Sequence, residues 1–324
     1  MFGLMWVWCA CTDDVDYIYE PGNEPSADAV DADGDGFYAW YSTSDSENAD
    51  CDDSDPDVTP FEERYIPAGN FWRGDDTTPL AGPMREIYLS DYCLDRFEVR
   101  NDAFAAFLQA RLAEGYQNEN DLGQPLYDFD DDDDVYDPTI SFTDGTYAAV
   151  EGRADHPVTE VWHWSADAFC QFWDKELPTE AQWEKGARGT DRRRYPWGDV
   201  DPDCEKANYG NPQQRCVGDT LPVGMHEDGI SPYGLHDMAG NVSEWVWDYY
   251  QADYFSESED TDPLGPDSGF YEDETGQSFV ARIARSGNHS TDEGSLQVFH
   301  RTPEPADGSS NGLGFRCARI LTAP

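Results

Sequence analysis

The pattern of apolar and polar positions changes abruptly near residue 62 of the chain. Residues 12–60 contain almost no core-forming pattern, whereas short apolar runs recur from Tyr65 onward. Between Met84 and Val99, apolar residues alternate with polar ones and then change register, which is typical of two short strands. Loops rich in glycine and acidic residues separate such runs, so the pattern predicts a globular domain of short strands after an irregular N-terminal segment.

Three stretches have apolar residues at helical spacing. The first helix is predicted between Asn101, as its N-cap, and Gly115, as its C-terminal stop. The second is expected to begin at Ser165, also as an N-cap. The third is expected at Thr179, because Thr179 and Gln182 have the spacing of a capping box. Helices are therefore few in this prediction, and short strands carry most of the regular structure.

The charge of the chain restricts its partners. The 324 residues include 68 acidic and 20 basic ones, which gives a net charge of −48 at pH 7. Such a chain repels nucleic acid and anionic membrane surfaces, so a nucleic-acid partner is excluded. It favours divalent cations, or a high-salt medium in which screening relieves self-repulsion. The aromatic content of 14%, with 11 Trp, supplies material for a sizeable core.

The cysteines indicate export. The chain has eight of them and no CxxC pair, which argues against zinc clusters and favours disulfides in an oxidising compartment. Cys204 and Cys216 flank a loop rich in glycine, proline and asparagine, and we expect them to pair. Residues 1–11 are apolar and are followed by an abruptly acidic run. We interpret them as a clipped export signal with Cys11 as a candidate lipid anchor, against the alternative of an incidental apolar terminus. We therefore expect a periplasmic protein or an outer-membrane or cell-surface lipoprotein.

Residues 12–61 form an acidic segment with a candidate calcium site. An Asp-X-Asp-X-Asp-Gly run ends at Gly36 and matches the first half of an EF-hand loop. The glutamate expected at the twelfth position is Ser42, so a second acidic run would supply the remaining oxygens. The alternative is a solvated, disordered linker. The expected ligands are Asp31, Asp33, Asp35 and Phe37 in the first run and Asp50, Asp52, Asp53 and Asp55 in the second.

A second acidic turn lies between Ser231 and Asp248. Asp237 and Glu244 flank Gly240, whose carbonyl is free to turn inward between them. Calcium takes several oxygens at once from side chains and backbone, which suits such a loop. The alternative is a structural turn whose acids are solvated or cap the next element. The residues alone leave both interpretations open.

Seven stretches, in this order, resemble the sulfatase-modifying-factor family, which comprises the formylglycine-generating enzymes and their relatives. They are YIPAGNFWRG, LDRFEVRNDAF, HPVTEVWHWSADAFC, LPTEAQWEKGARG, YPWGD, SPYGLHDMAGNVSEW and LGFRCAR. The resemblance covers about residues 62–320, and LPTEAQWE and YGLHDMAGNVSEW are its most specific parts. It implies one α+β domain over residues 62–324 with the formylglycine-generating-enzyme fold, of the C-type-lectin-like kind. In that fold, short strands and helices are mixed with much irregular structure.

The resemblance also implies two calcium sites. The ligands of the first correspond here to Asp237, the carbonyl oxygens of Gly240 and Val242, and Glu244. A second family site begins at Asn208 and the carbonyl of Tyr209, although its partner acid does not align in the short loop that follows. Calcium is thus the expected cofactor.

A disulfide is implied as well. The family pairs the cysteine of the helix after HPVTEV with that of GFRC, and here these are Cys170 and Cys317. Cys51 and Cys93 are then left over, and we expect them to pair across the boundary between the acidic segment and the domain.

The catalytic loop departs from the family pattern. Active formylglycine-generating enzymes hold Cu(I) with two cysteine thiolates just after an Arg-Gly-Gly-Ser segment, and thiolates suit this soft ion. The corresponding segment here is Arg285–Asn288, and the two ligand positions fall near Thr291 and Leu296. No cysteine occurs between this segment and His300. We therefore expect neither copper nor formylglycine-generating activity.

Two functions remain open at this stage. The first is a monomeric, calcium-stabilised binding module for a peptide, protein or glycan. The second is a metal-dependent oxidoreductase related to the formylglycine-generating enzymes and sulfoxide synthases, with a metal held by His289, His300 and a nearby acid. Against the second, a histidine pair without tight spacing is more often structural than ligating. The candidate groove for either function is lined by Trp245, Asn288, His289, His300 and Arg301.

Overall fold

The computed structural model describes residues 38–39, 49–51, 63–78, 80–129, 138–211, 214–273 and 275–321. The strands in these residues are β1 Tyr38–Ala39, β2 Ala49–Asp50, β3 Glu63–Ile66, β4 Gly69–Arg73, β5 Arg85–Leu89, β6 Tyr92–Asp95, β7 Ile140–Thr143, β8 Thr146–Ala149, β9 Gly210–Asn211, β10 Gln214–Arg215, β11 Ser243–Tyr249, β12 Phe270–Glu272, β13 Ser278–Arg285, β14 Thr302–Pro305, β15 Leu313–Phe315 and β16 Ala318–Ile320. The helices are α1 Asn101–Glu114, α2 His163–Phe172, α3 Glu180–Arg188 and α4 Tyr254–Glu257, with a 3₁₀ turn at Glu227–Gly229.

The strands form several small sheets. The largest has the order β12-β13-β11-β15, with β14 also paired to β13. Strand β11 is antiparallel to β13 and parallel to β15. A second sheet has the order β16-β6-β3, and β4–β5 and β7–β8 are antiparallel hairpins. The α+β architecture expected from the sequence is confirmed.

Strand β11 separates two hydrophobic clusters. Trp245 and Ala284 belong to one cluster, and Val246 and Ile283 belong to the other. Neighbouring residues of a strand point to opposite faces, so the central sheet is buried on both sides at this point. This explains why the chain is continuously apolar around residues 245–246 instead of alternating.

The first cluster is rich in aromatic rings from α1, α2 and β15. Phe104 stacks on Phe169 with ring centroids 5.5 Å apart, and Phe107 meets Phe169 edge to face at the same distance. Phe315 lies 5.4 Å from Phe169. Aromatic pairs of this kind contribute about 0.5–1.5 kcal/mol each beyond their buried area. They fix the two long helices against the sheet.

Two of the predicted helix starts are shifted. The capping box of α3 is confirmed: the Gln182 amide donates to Thr179 Oγ1 at 3.2 Å, and the Thr179 amide donates to the Gln182 side chain at 2.8 Å. Asn101, however, is the first residue of α1, and its side-chain amide donates instead to backbone carbonyls, including that of Arg153 at 2.9 Å. Helix α2 begins before Ser165, at His163. The caps predicted at Asn101 and Ser165 were therefore wrong, because tertiary partners occupy these polar side chains.

The described residues contain three disulfides, and all three predicted pairings are confirmed: Cys51–Cys93, Cys170–Cys317 and Cys204–Cys216. The second closes a sequence separation of 147 residues, for which the chain-entropy model gives about 5 kcal/mol of stabilisation. Disulfides persist in oxidising compartments, so these bonds indicate an extracellular or periplasmic protein. Among the helices of the described residues, none is both long and apolar enough to cross a membrane.

Candidate functional site

The acidic turn before β11 folds back on itself through left-handed backbone conformations. Asp237, Gly240 and Asn241 have φ angles of 55°, 86° and 61°. A Cβ at Gly240 would lie 2.5 Å from the carbonyl oxygen of Asn208, so glycine is required there by contact as well as by conformation. The turn brings Asp237 and Glu244 inward, and both side chains are buried.

Three buried carboxylates surround Arg316. Its guanidinium donates to both oxygens of Glu244, at 2.7 and 2.8 Å, and the charges of Glu244, Glu98 and Asp237 all raise its pKa. Asp237 accepts a 2.6 Å hydrogen bond from the amide of Gly224, and His226 Nδ1 lies 3.6 Å from its other oxygen. The group therefore carries three acidic side chains against one arginine.

Glu98 is the member that the sequence did not single out. It is 2% exposed and accepts from the Asn241 side chain at 2.8 Å and from the Val242 amide at 3.2 Å. Burial, together with the charges of Asp237 and Glu244, raises its pKa well above the usual range. An acid between the apolar residues Phe97 and Val99 was the available signal.

Several oxygen atoms of the implied first calcium site already accept hydrogen bonds from the protein. Glu244 is engaged by Arg316 and also accepts from the indole of Trp183 at 2.8 Å. The carbonyl of Gly240 accepts from the Ser286 hydroxyl at 3.2 Å. Glu98 and Asp237, by contrast, have no arginine bonded to them in the part of the chain described here. Glu98, Asp237 and Glu244 do not come within ligating distance of one another as a set of three in the described residues, so the first calcium site remains a prediction. Within this group, the oxygens with the fewest donors are those of Glu98 and Asp237.

The implied second calcium site is built around Asn208. The Oδ1 atom of Asn208 is buried and has no hydrogen-bond partner among the described residues, while its amide donates to the carbonyl of Asp219 at 2.8 Å. The carbonyl of Tyr209 accepts from the amide of Cys216 at 2.9 Å. The carboxylate of Asp219 pairs with Arg153. An oxygen without a donor is compatible with a cation, and the predicted ligands Asn208 and Tyr209 remain a prediction.

The N-terminal calcium segment lies almost entirely outside the described residues. The predicted ligands at 31, 33, 35, 37, 52, 53 and 55 are not among them. Asp50 is described only through its backbone, in β2, which pairs in parallel with β1. The calcium site predicted in this segment therefore remains a prediction.

The groove predicted from the sequence is not an open surface. Trp245 is fully buried, and its indole donates to the carbonyl of Val161 at 3.0 Å. Arg301 is buried against Glu180, with its Nε 2.6 Å from the carboxylate. The placement of these two side chains in a ligand groove was wrong, because they fill the core and an internal ion-pair cluster.

Two of the remaining groove residues have protein partners. His289 is buried, with its ring nitrogens 3.3 Å from the carbonyl of Asn311 and 2.9 Å from the Ser290 hydroxyl. The side chain of Asn288 donates to Ser243 at 3.3 Å and accepts from the Ser290 amide at 2.9 Å. His300 is partly buried, and burial together with the charge of Arg285 lowers its pKa. The contacts of His289 match a packing role.

No three-ligand set that includes His289 or His300 occurs in the described part of the chain. The residues that do come within ligating distance of one another there are Cys51, Glu63 and Cys93. Because the two cysteines form a disulfide, this group is not a thiolate site.

Thr291 and Leu296, near which the resemblance places the family's copper ligands, carry a hydroxyl and a hydrocarbon side chain. Leu296 is fully buried and packs with Tyr195, Ala207 and Ala239. The hydroxyl of Thr291 accepts from the amide of Asn288 at 2.8 Å and so closes a local turn. Each cysteine in the described residues is part of a disulfide. The loop therefore offers no soft ligand for Cu(I).

Solved structures share this fold. PvdO from Pseudomonas aeruginosa aligns with a TM-score of 0.58 and 21% identity, over 80% of this chain and 94% of that one. The variable protein 1 of Treponema denticola aligns with a TM-score of 0.55 and 22% identity, over 79% and 94%. At these identities the likeness establishes the fold alone.

Sequence relatives include enzymes and a protein named as inactive. The formylglycine-generating enzyme of Thermomonospora curvata is 31% identical over 295 residues, which cover 78% of this chain and 91% of the enzyme. The mouse protein named inactive Cα-formylglycine-generating enzyme 2 is 28% identical over 292 residues, covering 80% and 86%. The serine/threonine-protein kinase pkn1 of Chlamydia caviae is 31% identical over 259 residues. The match to the kinase covers 79% of this chain but only 37% of the kinase.

The family model gives the same result over a longer stretch. The sulfatase-modifying factor enzyme 1-like domain matches residues 52–321, which is most of the chain. This stretch contains Glu98, Asp237 and Glu244, the loop of residues 285–300 and five of the six disulfide-bonded cysteines of the described residues. The sixth, Cys51, lies one residue before it. The chain therefore belongs to the sulfatase-modifying factor enzyme 1-like domain family.

Proposed function

We propose that this protein is an exported, calcium-stabilised binding module of its family that lacks formylglycine-generating activity. The observation that carries the proposal is the chemistry at Thr291 and Leu296. A buried leucine and a turn-closing threonine cannot replace two thiolates that hold a soft metal. The family scaffold is thus retained while the copper ligands are absent.

The relatives support both halves of this proposal. The long match to the Thermomonospora curvata enzyme supports a common scaffold. The mouse relative named as inactive supports the idea that this scaffold also serves without the chemistry. One of these relatives is named as an enzyme and the other as inactive, so the proposal for this chain rests on its own residues.

Calcium would act as a structural ion in this proposal. Glu98, Asp237 and Glu244 bring three carboxyl groups into the interior near one arginine. An uncompensated buried carboxylate costs several kcal/mol unless it is neutralised or paired. A divalent cation held by Asp237, Glu98 and the nearby carbonyls of Gly240 and Val242 would remove that cost. We further propose that the acidic segment 12–61 binds calcium and that Cys11 is lipid-anchored.

A peptide assay tests the lack of activity. The purified chain, supplied with Cu(I) and O₂, is incubated with a CxPxR peptide, and aldehyde is measured by mass spectrometry and hydrazide capture. The Thermomonospora curvata enzyme serves as the active control. We expect no aldehyde above the no-enzyme blank. Aldehyde formation that depends on this chain would overturn the proposal.

Metal analysis separates the binding module from the oxidoreductase alternative. Protein purified without added metal is analysed for bound metals by elemental mass spectrometry. The His289→Ala and His300→Ala variants are analysed in the same way. We expect calcium and no stoichiometric transition metal. Iron or copper that is lost in either variant would establish the oxidoreductase instead.

A further inference from the structure

A cavity of about 380 Å³ lies between α1, α2 and the loop of residues 118–125. It is separate from the acidic turn of Asp237 and Glu244 and from the loop of residues 285–300. None of the residues proposed to bind calcium or placed near the copper positions lines it. Ligand sites of folded proteins start at about 300 Å³, so its size suits one small ring or one unit of a polymer.

The loop that closes this cavity is held in place. The amide of Asn120 donates to the carbonyl of Gln124 at 2.9 Å, and the Asn120 side chain accepts from the amides of Leu122 and Gln124, both at 3.0 Å. The indole nitrogen of Trp164 donates to the carbonyl of Pro125 at 2.7 Å. The cavity is therefore pre-formed, which reduces the entropy that binding must overcome.

Aromatic rings and planar polar groups share the lining. Phe107, Phe172 and Trp164 supply apolar surface, and Trp164 is backed by Trp162 at 5.3 Å with the rings only 9° from parallel. The amides of Gln124 and Gln171 and the carboxylate of Asp167 supply polar groups at the same site. An apolar ring face beside several hydrogen-bonding groups matches a ligand that is itself apolar on one face and hydroxylated at its edge.

The charges of the cavity disfavour an anion. Its arginine, Arg111, already pairs with Asp121 and Glu114. The whole chain carries −48, which adds long-range repulsion. A phosphate or carboxylate ligand would therefore find no cation without a partner among these wall residues.

The backbone of the cavity walls disfavours an extended peptide. Two walls are helices, whose amides bond internally. The third wall is the loop of residues 118–125, whose backbone groups bond within the loop: the Asn120 amide donates to Gln124, and the Gly123 amide donates to Asn120. An extended peptide gains affinity mainly by adding to a free strand edge, and these described walls offer none.

We propose that this cavity binds a neutral sugar ring of a glycan, with the ring face on Trp164 and its hydroxyls on Gln171, Gln124 and Asp167. This assignment rests on the binding-module function proposed above and names its ligand class and its site. The sugar site replaces the buried groove that the sequence had indicated.

The test is a binding titration of the full chain. Neutral hexasaccharides of glucose, mannose, galactose, xylose and N-acetylglucosamine are titrated one at a time in calcium-containing buffer, with calorimetry and tryptophan fluorescence as readouts. We expect at least one to bind in the micromolar to millimolar range. Trp164→Ala should weaken that binding at least tenfold, and Gln171→Ala, at an exposed position, should weaken it severalfold.

Two matched variants keep the result interpretable. Trp247→Ala removes another exposed tryptophan that lies outside the cavity, and it should bind like the wild type. Trp164→Phe keeps an aromatic ring and should retain part of the affinity if Trp164→Ala lowers stability. The site is overturned if no hexasaccharide binds at millimolar concentration, if Trp164→Ala and Gln171→Ala bind unchanged, or if an extended peptide competes for the cavity. Because aldehyde formation is assayed separately, failure of the sugar site is distinct from failure of the proposed inactivity.

Discussion

Glu180 and Glu98 represent two groups of buried carboxylates in the described residues that differ in the number of arginines bonded to them. Glu180 is bonded by Arg73, Arg285 and Arg301, at 3.0, 2.6 and 2.6 Å. These charges hold the pKa of Glu180 at about 2 despite its complete burial. Around Arg316, in contrast, three carboxylates share a single guanidinium, and the pKa of Glu98 is raised.

In the first group, arginines of the chain bond the carboxylates of Glu180 and Glu184. Glu184 adds contacts to Arg285 at 3.1 Å and to Arg188 at 2.8 Å, so α3 is tied to β13 and to its own last turn. The guanidinium carbon of Arg73 lies 3.8 Å from the ring centre of Phe255, which is a cation–π contact, while Nε and Nη1 of Arg73 have no hydrogen-bond partner among the described residues.

In the second group, no arginine of the described residues bonds Glu98 or Asp237. A buried carboxylate without a cationic partner costs more free energy than an arginine-bonded one. The calcium proposal rests on this difference, which three experiments test.

The largest effect is expected from the balanced group. Glu180→Gln leaves Arg73, Arg285 and Arg301 facing one another in the interior, and breaking a buried ion-pair network costs about 3–5 kcal/mol. Urea unfolding should show this loss equally in calcium and in chelator. Glu114→Gln, which removes a partner of the exposed Arg111 pair, is the control and should cost under about 1 kcal/mol. A loss from Glu180→Gln no larger than that of the control would contradict the comparison.

A smaller effect is expected from calcium itself. An ion that binds only the folded state stabilises it by about 2.7 kcal/mol at a concentration of about 100 times Kd, so chelator should lower the Tm of the wild type. Asp237→Asn should lose most of this shift, because it removes a carboxylate that no arginine bonds. Asp33→Asn serves as the comparison variant and reports the share of the N-terminal segment. If chelator leaves the wild-type melting curve unchanged, the calcium proposal is wrong for both sites.

The third experiment measures a smaller quantity, the change of stability per pH unit in chelator. Burial raises the pKa of Glu98, so the folded protein keeps a proton that the unfolded chain releases. Stability should therefore fall as pH rises above the unfolded value, by up to about 1.4 kcal/mol per pH unit. Glu98→Gln cannot ionise, and its stability relative to the wild type should increase from about pH 5 to 8.

Glu180→Gln provides the contrasting pH profile. Glu180 has a folded-state pKa of about 2, so its stabilisation is complete above its unfolded value and is lost only at lower pH. The difference between Glu180→Gln and the wild type should therefore stay flat over the range in which that of Glu98→Gln changes. Parallel profiles for the two variants would remove the distinction between the groups.

Local patterns predicted the fold well where their partners are close in sequence. The capping box of Thr179 and Gln182 and the Cys204–Cys216 bond each depend on a short stretch, and both are confirmed. Asn101 and Ser165 failed as caps because their side chains bond across the fold, to carbonyls that no local pattern identifies. Propensity describes what a polar side chain can do, and tertiary contacts decide which option it takes.

The candidate site was predicted in part for the same reason. Asp237 and Glu244 are close in sequence, so one turn was enough to indicate them. Glu98 lies in the β6–α1 connection, far from the turn in sequence, and it joins Asp237 and Glu244 only through tertiary packing. Trp245 looked like a groove residue in the sequence, but strand β11 is buried on both faces, which a window of a few residues does not reveal.

The sequence by itself determined the family, the disulfide framework and the loss of the copper ligands, because each of these depends on which residue types occur at a given place in a motif. The tertiary structure alone decided which charges are balanced, which aromatic residues are core, and where a cavity remains between α1 and α2. Electrostatic compensation and open volume are sums over neighbours that are distant in the chain. Glu180 and Glu98 are the same residue type in the sequence, and only the folded structure shows that they differ in the number of arginines around them.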